Sequence, residues 1–172
     1  MKTSSDVYQI TGGFIMLKYV PKDTSVCFSE IPDEISLCIN MSLCPHRCPG
    51  CHSQYLQTDC GEELTIEVVE DLINKNDGIT CILFLGGDAD KVSLINLAKY
   101  IKSNYSSLLV GWYSGDSELD LNYYGEFFDY IKVGPYIKEL GPLNSPTTNQ
   151  RLYFIDRSNG IRAIDITHLF LK

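Results

Sequence analysis

The chain has 172 residues, 44% of them hydrophobic and 21% charged, which is typical of one globular domain with a full core. Its formal net charge is −8, and no Lys/Arg run occurs, so we expect no nucleic-acid partner. No apolar stretch approaches the roughly 20 residues that span a bilayer, and residues 1–6 lack the apolar segment of a signal peptide. We therefore expect a cytoplasmic protein without a membrane partner.

Strands and helices alternate along the first half of the chain. Residues 8–20 have strand-like composition and predict an edge hairpin, whereas residues 21–33 are typical of a connection. Residues 34–40 alternate apolar and polar side chains, which predicts a strand. A helix follows Thr65, since apolar residues recur behind it at helical spacing. The continuous apolar run 81–85 predicts a central parallel strand that is buried on both faces.

The second half continues the alternation. Its predicted elements are a helix capped by Asp88 or Asp90, a strand at 108–113, a short helix within 117–124, a strand at 127–133, a loop at 141–150 and a hairpin of 151–155 with 161–166. This order predicts parallel βαβ units in an α/β fold. We expect a single domain over residues 1–172, with its core at about 34–140.

A loop directly after the first predicted parallel strand concentrates three of the chain's seven cysteines within eight residues. Cys44, Cys48 and Cys51 follow the spacing CxxxCxxC. Prolines and a glycine keep this segment out of regular structure. Because structural disulfides are rare in the cytoplasm, clustered cysteines there indicate metal or redox chemistry.

Several chemistries compete for this loop. Cys48 to His52 fits the CxxCH of c-type haem attachment, but export and a small helical fold are not indicated. A thioredoxin-like dithiol leaves Cys44 unexplained, and such motifs open a helix, whereas residues 52–54 are expected to continue as loop. Structural zinc requires a fourth ligand such as His46, His52 or Cys60, and zinc sites usually pair two CxxC halves.

An iron–sulfur cluster held by three thiolates explains the spacing best. A cubane cluster normally takes four cysteines, so with Cys44, Cys48 and Cys51 as metal ligands one iron keeps an open coordination position. A substrate can bind that iron. No fourth cysteine is required by this interpretation, although Cys60 lies close along the chain.

The cysteine spacing after a strand of a βα chain resembles the radical S-adenosylmethionine enzymes. The resemblance implies a [4Fe-4S] cluster whose open iron is chelated by S-adenosylmethionine. Gly86-Gly87-Asp88, at the end of the second parallel strand, resembles the family's Gly-Gly-acidic turn. It implies that the two glycines approach the methionine moiety and that Asp88 faces its ammonium. Gly50, Cys51 and His52 are the further residues expected beside the cofactor.

Within that superfamily the chain resembles the activating proteins of anaerobic (class III) ribonucleotide reductase. Gly50 stands where many relatives have an aromatic residue, and residues 112–115, 133–140 and 148–152 resemble further segments in the same order. The resemblance implies a partial (β/α) barrel with mainly parallel strands and small β additions at both ends. One departure is Glu30-Ile31-Pro32-Asp33-Glu34, where family members often carry a Gly-rich stretch.

The resemblance implies a radical oxidoreductase that generates a glycyl radical on anaerobic ribonucleoside-triphosphate reductase, its protein partner. A flavodoxin or ferredoxin is the implied electron donor. No catalytic side chain is expected beyond the cluster and cofactor. Two alternatives stay open: an activase of another glycyl-radical enzyme of the pyruvate formate-lyase type, and a non-radical iron–sulfur electron-transfer module.

Other residues receive more modest expectations. Cys27, Cys38 and Cys81 are expected to be small buried hydrophobes. His46 is expected to be a hydrogen-bond donor or packing group. Asn149 and Gln150 either have a functional role or satisfy loop backbone groups.

Overall fold

A seven-stranded sheet dominates the computed structural model, which describes residues 16–171. In chain order the strands are β1 (Lys18–Tyr19), β2 (Ser25–Cys27), β3 (Ser36–Asn40), β4 (Glu62–Glu63), β5 (Cys81–Leu85), β6 (Leu109–Tyr113), β7 (Tyr130–Val133), β8 (Arg151–Asp156) and β9 (Arg162–Asp165). The sheet order is β2-β3-β5-β6-β7-β8-β9, and β1 pairs with β4 outside it. The central strands β3, β5, β6 and β7 are parallel, and the flanking strands are antiparallel. The predicted parallel units and the C-terminal hairpin are confirmed.

Three helices connect the parallel strands: α1 (Ile66–Asn74), α2 (Lys91–Asn104) and α3 (Leu121–Tyr124). Thr65 caps α1 by accepting a hydrogen bond from the Val68 backbone N–H. Of the two candidate caps for α2, Asp90 takes the role, since its carboxylate accepts from the Ser93 N–H. The carboxylate of Asp88 is therefore not needed to cap this helix.

The sheet has two different faces. The helix face is covered by α1 and α2, and its residues from the four parallel strands are all apolar and buried: Leu37, Ile39, Ile82, Phe84, Val110, Trp112, Ile131 and Val133. The loop face is covered by segments that contribute Ile31, Leu143, Ile166 and Phe170, and its buried hydrophobic strand residues are Cys38, Cys81, Leu83, Tyr130 and Leu152. The side chains of each strand point alternately to the two faces, because successive residues of a β-strand lie on opposite sides of the sheet.

Some expectations need correction or lie outside the described residues. The segment 21–33, predicted as a connection, contains β2 and a 3₁₀ turn at Pro21–Asp23. Residues 52 and 53 continue as loop, as predicted, whereas Gln54, also predicted as loop, begins a 3₁₀ turn at Gln54–Gln57. Residues 8–15 of the predicted N-terminal hairpin are outside the described part. Between residues 16 and 171, no helix has the length and apolar character needed to cross a membrane.

Candidate metal centre

The cysteine loop leaves β3 at the carboxyl edge of the parallel strands. The Cys44 N–H donates to the Leu56 carbonyl at 2.8 Å, which ties the start of the loop to the following 3₁₀ turn. The Cys51 N–H donates to the Cys48 carbonyl at 3.2 Å, which closes a tight turn between two cysteines. Arg47 is left-handed, with φ of 49°. The loop therefore has a defined backbone path without being helix or strand.

The three thiols of this loop are free and partly exposed. Burial raises the pKa of the Cys44 thiol, and hydrogen bonds from the backbone of His46 and Arg47 oppose that rise. The Ser53 N–H lies 3.4 Å from the Cys51 sulfur. Backbone N–H groups are thus already directed at two of the three sulfurs, Cys44 and Cys51.

The spread of the three sulfurs differs from that of a single-ion site. Within residues 16–171, the one triad of potential ligand atoms that all lie within 4.8 Å of one another is His46, Asp88 and Asp116. The sulfurs of Cys44, Cys48 and Cys51 do not all lie within that distance of one another. Tetrahedral zinc with Zn–S bonds of about 2.3 Å needs sulfurs about 3.8 Å apart. The three thiols are therefore not preassembled around a single tetrahedral zinc ion.

The Gly86-Gly87 turn follows β5 and lies beside the start of the cysteine loop. Both glycines have positive φ, 102° and 98°, a conformation that favours glycine. The Trp112 indole donates to the Gly86 carbonyl at 3.0 Å. A Cβ added to Gly86 would lie 3.3 Å from the Met41 side chain, at the carboxyl end of β3. The two neighbouring strand ends, predicted to face one another, do so.

Asp88 links this turn to the cysteine loop. Its side chain is only 2% exposed, accepts from Ser114 Oγ at 2.5 Å, and accepts from the Gly115 N–H at 3.2 Å. The His46 Nε2 atom lies 3.3 Å from Asp88 Oδ2, an ion-pair distance without hydrogen-bond geometry. The Asp88 carboxylate therefore lies beside the cysteine loop, as predicted. Its contacts join three chain segments: the Gly86-Gly87-Asp88 turn, residues 114–115 and the cysteine loop.

The His46 ring packs directly on Gly115. A Cβ added to Gly115 would come within 2.4 Å of His46 Cδ2, so no other residue fits at this position without displacing the ring. His46 Nε2 also lies 3.7 Å from Asp116, which is paired with Lys91. His46 therefore serves as a packing and electrostatic contact, as expected. Through Gly115, the segment 112–115 supports the cysteine loop.

Lys132 is a residue of this region that sequence reasoning missed. It lies on the loop face of β7, is 9% exposed, and donates to the carbonyls of Ser114 at 3.3 Å and Gly134 at 3.0 Å. Burial lowers its pKa to about 8, although Asp88 and the thiols of the cysteine loop oppose that shift. The sequence did contain one indication of this residue's role, since a lysine is unusual inside an otherwise apolar four-residue strand.

The remaining predicted residues divide between the site and its support. His52 and Tyr136 have ring centroids 5.4 Å apart, and Gly50 shares a small cavity with Tyr136. The Asn149 side chain donates to the Pro135 carbonyl at 2.9 Å, and that of Gln150 donates to the Gly134 carbonyl at 3.4 Å. These two amides therefore satisfy the backbone of the turn after β7.

The other four cysteines differ from the loop thiols. Cys38 and Cys81 are buried in the sheet, and burial raises the pKa of the Cys81 thiol to about 12. Cys27 is partly exposed on β2. Cys60 is exposed, and its thiol lies 3.4 Å from the Tyr55 carbonyl oxygen. The predicted burial is thus confirmed for Cys38 and Cys81 and only partial for Cys27.

A cavity of about 720 Å³ opens on the loop face beside Tyr113. The Tyr113 hydroxyl donates to the Glu30 carbonyl, and burial raises the pKa of the Glu30 carboxyl. Phe28, 74% exposed, and Phe170 stand on its walls. The Glu30–Glu34 stretch, where the sequence departs from the family pattern, therefore borders this cavity.

Comparison with known proteins identifies the chemistry of the loop. The family described as a 4Fe-4S single cluster domain matches residues 35–145, which include the cysteine loop, the Gly86-Gly87-Asp88 turn and Lys132. No curated protein and no solved structure matches the chain. The donor set fits such a cluster, because one loop carries three free thiols and two of them receive backbone N–H groups.

Proposed function

The chain belongs to the family of 4Fe-4S single cluster domains and binds a [4Fe-4S] cluster, and from this premise we propose that it is a radical S-adenosylmethionine enzyme. One observation carries the proposal. The cysteine loop after β3 and the Gly86-Gly87-Asp88 turn after β5 meet at one edge of the sheet, joined by the contact of His46 with Asp88. A simple electron carrier does not require a second loop at an open iron.

Cys44, Cys48 and Cys51 are the proposed cluster ligands. We assign S-adenosylmethionine to the space between Gly50-Cys51-His52 and Gly86-Gly87-Asp88. Both turn glycines have positive φ and no side chain, so backbone N–H and C=O groups are what they can offer to a ligand at close range. The carboxylate of Asp88, with side-chain exposure of only 2%, supplies negative charge for the ammonium of the methionine moiety.

When bound, the reduced cluster would supply one electron that cleaves S-adenosylmethionine and releases methionine. Transfer of a hydrogen atom from a glycine Cα would then give 5′-deoxyadenosine and leave the glycyl radical. Reducing the cluster requires a donor in the range of about −400 mV, so a ferredoxin or flavodoxin is the proposed donor. The chain's own contribution is to hold three sulfurs, leave one iron open, and bury the polar contacts beneath the loop.

The proposed substrate is a glycine-bearing loop of anaerobic ribonucleoside-triphosphate reductase. The cavity of about 720 Å³ beside Tyr113 has room for a short peptide segment and lies on the loop face of the sheet. Its exposed Phe28 offers an apolar contact to an incoming chain. Phe28→Ser is therefore expected to reduce radical transfer to the reductase while leaving cleavage of S-adenosylmethionine unchanged.

Anaerobic reconstitution with iron and sulfide tests this function. We expect about four irons per chain and release of 5′-deoxyadenosine when dithionite and S-adenosylmethionine are added. With the reductase present, an electron paramagnetic resonance (EPR) signal of a glycyl radical is expected on that protein. Cys48→Ala should abolish both products, and Cys60→Ala serves as the matched control that retains them.

The alternatives give different results in the same assay. Release of 5′-deoxyadenosine with a radical on pyruvate formate-lyase, and none on the reductase, would identify another activase. A stable cluster that transfers electrons but never releases 5′-deoxyadenosine would identify an electron-transfer module. Purified protein that holds zinc alone and takes up no cluster would contradict the whole assignment.

A further inference from the structure

We propose that Lys132 is the buried cation that balances the charge of the iron–sulfur cluster and sets its reduction potential. The inference rests on the cluster itself and is independent of the proposed chemistry on S-adenosylmethionine. Lys132 is on β7, far along the chain from the cysteines. Two structural observations place it beneath their loop and leave its charge without a partner, and the charge of the cluster complements it.

The first observation is the burial of the ammonium among neutral acceptors. Lys132 is 9% exposed, and its two hydrogen bonds go to the carbonyls of Ser114 and Gly134. It forms no ion pair with any carboxylate of residues 16–171. Its Nζ also lies 5.8 Å from the centroid of the Tyr113 ring. A lysine has three donors, so one N–H remains for another group.

The second observation is that both partners of Lys132 adjoin segments that contact the cysteine loop. On one side, Ser114 donates to Asp88, which contacts His46 between the first two cysteines. On the other side, Gly134 precedes Tyr136, whose ring contacts His52 just after the third cysteine. The two carbonyls that bind the ammonium thus belong to segments that contact the two ends of the cysteine loop. The effect of all three thiols on the pKa of Lys132 agrees with this position.

The third consideration is the cluster's charge. A [4Fe-4S] core with three thiolates carries one net negative charge when oxidised, and reduction adds a second. Burying an ammonium without a counter-ion is unfavourable, and the cluster supplies the missing negative charge. Because attraction is stronger in the reduced state, Lys132 raises the potential at which the cluster accepts its electron. It also costs stability in the cluster-free protein.

Lys132→Met tests both consequences, because they have opposite signs. The reduction midpoint of the reconstituted cluster, followed by EPR, should become more negative. At a fixed potential, we expect the ratio of reduced to oxidised cluster to fall about tenfold, which is about 59 mV for a one-electron couple. The melting temperature of the cluster-free, reduced variant should rise above that of the wild type. A merely structural lysine would lower that temperature and leave the potential unchanged.

Three further variants separate charge from shape. Lys132→Gln keeps an amide donor without the charge and should share the negative shift, whereas Lys132→Arg keeps the charge and should retain the wild-type potential. Lys99→Met is the matched control, since it removes a lysine from the exposed surface of α2. It should change neither quantity.

The other possible results for the Lys132 variants either support or overturn this charge role. A wild-type potential in Lys132→Met or Lys132→Gln overturns the proposal, as does a cluster-free Lys132→Met protein that is unfolded or less stable than wild type. Loss of the cluster from the Met and Gln variants, with retention in Lys132→Arg, supports the charge role during assembly. Loss from Lys132→Arg as well would contradict it.

Discussion

The two faces of the central sheet are built from the same strands and differ in what covers them. The helix face is packed by α1 and α2, and its residues from the four parallel strands are all apolar. The loop face is covered by irregular segments, and it carries cysteines, tyrosines and the buried Lys132. The larger of the two hydrophobic core clusters lies on the first face. The chemistry of the candidate site gathers at the carboxyl edge and on the second face, where loops permit polar groups to converge.

This difference separates residues by their expected effects. Substitutions on the helix face should change the free energy of unfolding and leave cluster content per folded chain unchanged. Substitutions in the cysteine loop and beneath it should change the cluster while the fold persists. A helix-face variant that loses its cluster while folded would contradict this difference, and so would a cysteine-loop variant that loses stability and keeps its cluster.

The largest effect is expected for the cysteine loop itself. Cys48→Ala should reduce the iron content after reconstitution from about four per chain to almost none, because a cluster with two protein ligands is poorly held. Cys81→Ala, within the sheet, should retain its iron, since the Cys81 thiol is fully buried on the loop face. Colorimetric iron analysis measures both variants. Equal iron content in the two would contradict the ligand assignment.

On the helix face, Ile82→Ala should destabilise the protein by about 2–5 kcal/mol, since it removes a fully buried side chain and leaves a cavity. Urea unfolding of the cluster-free protein measures this loss. Iron per folded chain should match the wild type. A variant of wild-type stability would show that this face is not the tightly packed one.

The pH dependence of stability provides a third comparison. The pKa of Lys132 is about 8 in the folded protein, below its usual 10.5, so the unfolded chain binds this proton more tightly. Wild-type stability should therefore rise relative to Lys132→Met between pH 8 and 10.5, by up to about 3 kcal/mol. Asp88, the three loop thiols and Tyr113 face this ammonium and are common to both proteins. A constant difference between the unfolding curves would contradict the prediction.

A smaller effect is expected where His46 lies on Gly115. Gly115→Ala places a methyl group against the ring and should cost about 1–3 kcal/mol. The double variant His46→Ala/Gly115→Ala should be less destabilised than the sum of the single changes, because the clash is gone. Additive losses in urea unfolding would show that the ring does not pack there.

The smallest effect concerns the cap of α1. Thr65→Ala removes the acceptor for the Val68 N–H and should cost about 1 kcal/mol. Thr65→Ser keeps the hydroxyl and should stay close to the wild type in thermal unfolding. Cluster content should be the same in both variants. A loss of iron from Thr65→Ala would link the helix face to the site, against the comparison.

Periodicity predicted much of the fold because it reports which faces are buried. The apolar run at 81–85 and the stripe of α2 lie in the core as expected. β2 was missed because three residues are too few for a pattern, and pairing with β3 determines its conformation. The predicted meeting of the cysteine loop with the Gly86-Gly87 turn followed from adjacent parallel strand ends.

The supporting contacts of the site were harder to predict. Alternation in Tyr130-Ile131-Lys132-Val133 puts Lys132 on the face opposite Ile131, but its burial depends on segments distant in sequence. The contact of His46 with Asp88 likewise depends on the path of an irregular loop. Sequence spacing identified the candidate ligands, whereas the polar groups beneath them required three-dimensional packing.

The most direct test of the central proposal is the EPR spectrum of the reduced, reconstituted protein with and without S-adenosylmethionine. If three cysteines hold the cluster and one iron is open, addition of S-adenosylmethionine should change the g values of the reduced cluster. Cys60→Ala should show the same change, because Cys60 is not among the proposed ligands. An identical spectrum before and after addition would contradict an open iron that binds this cofactor.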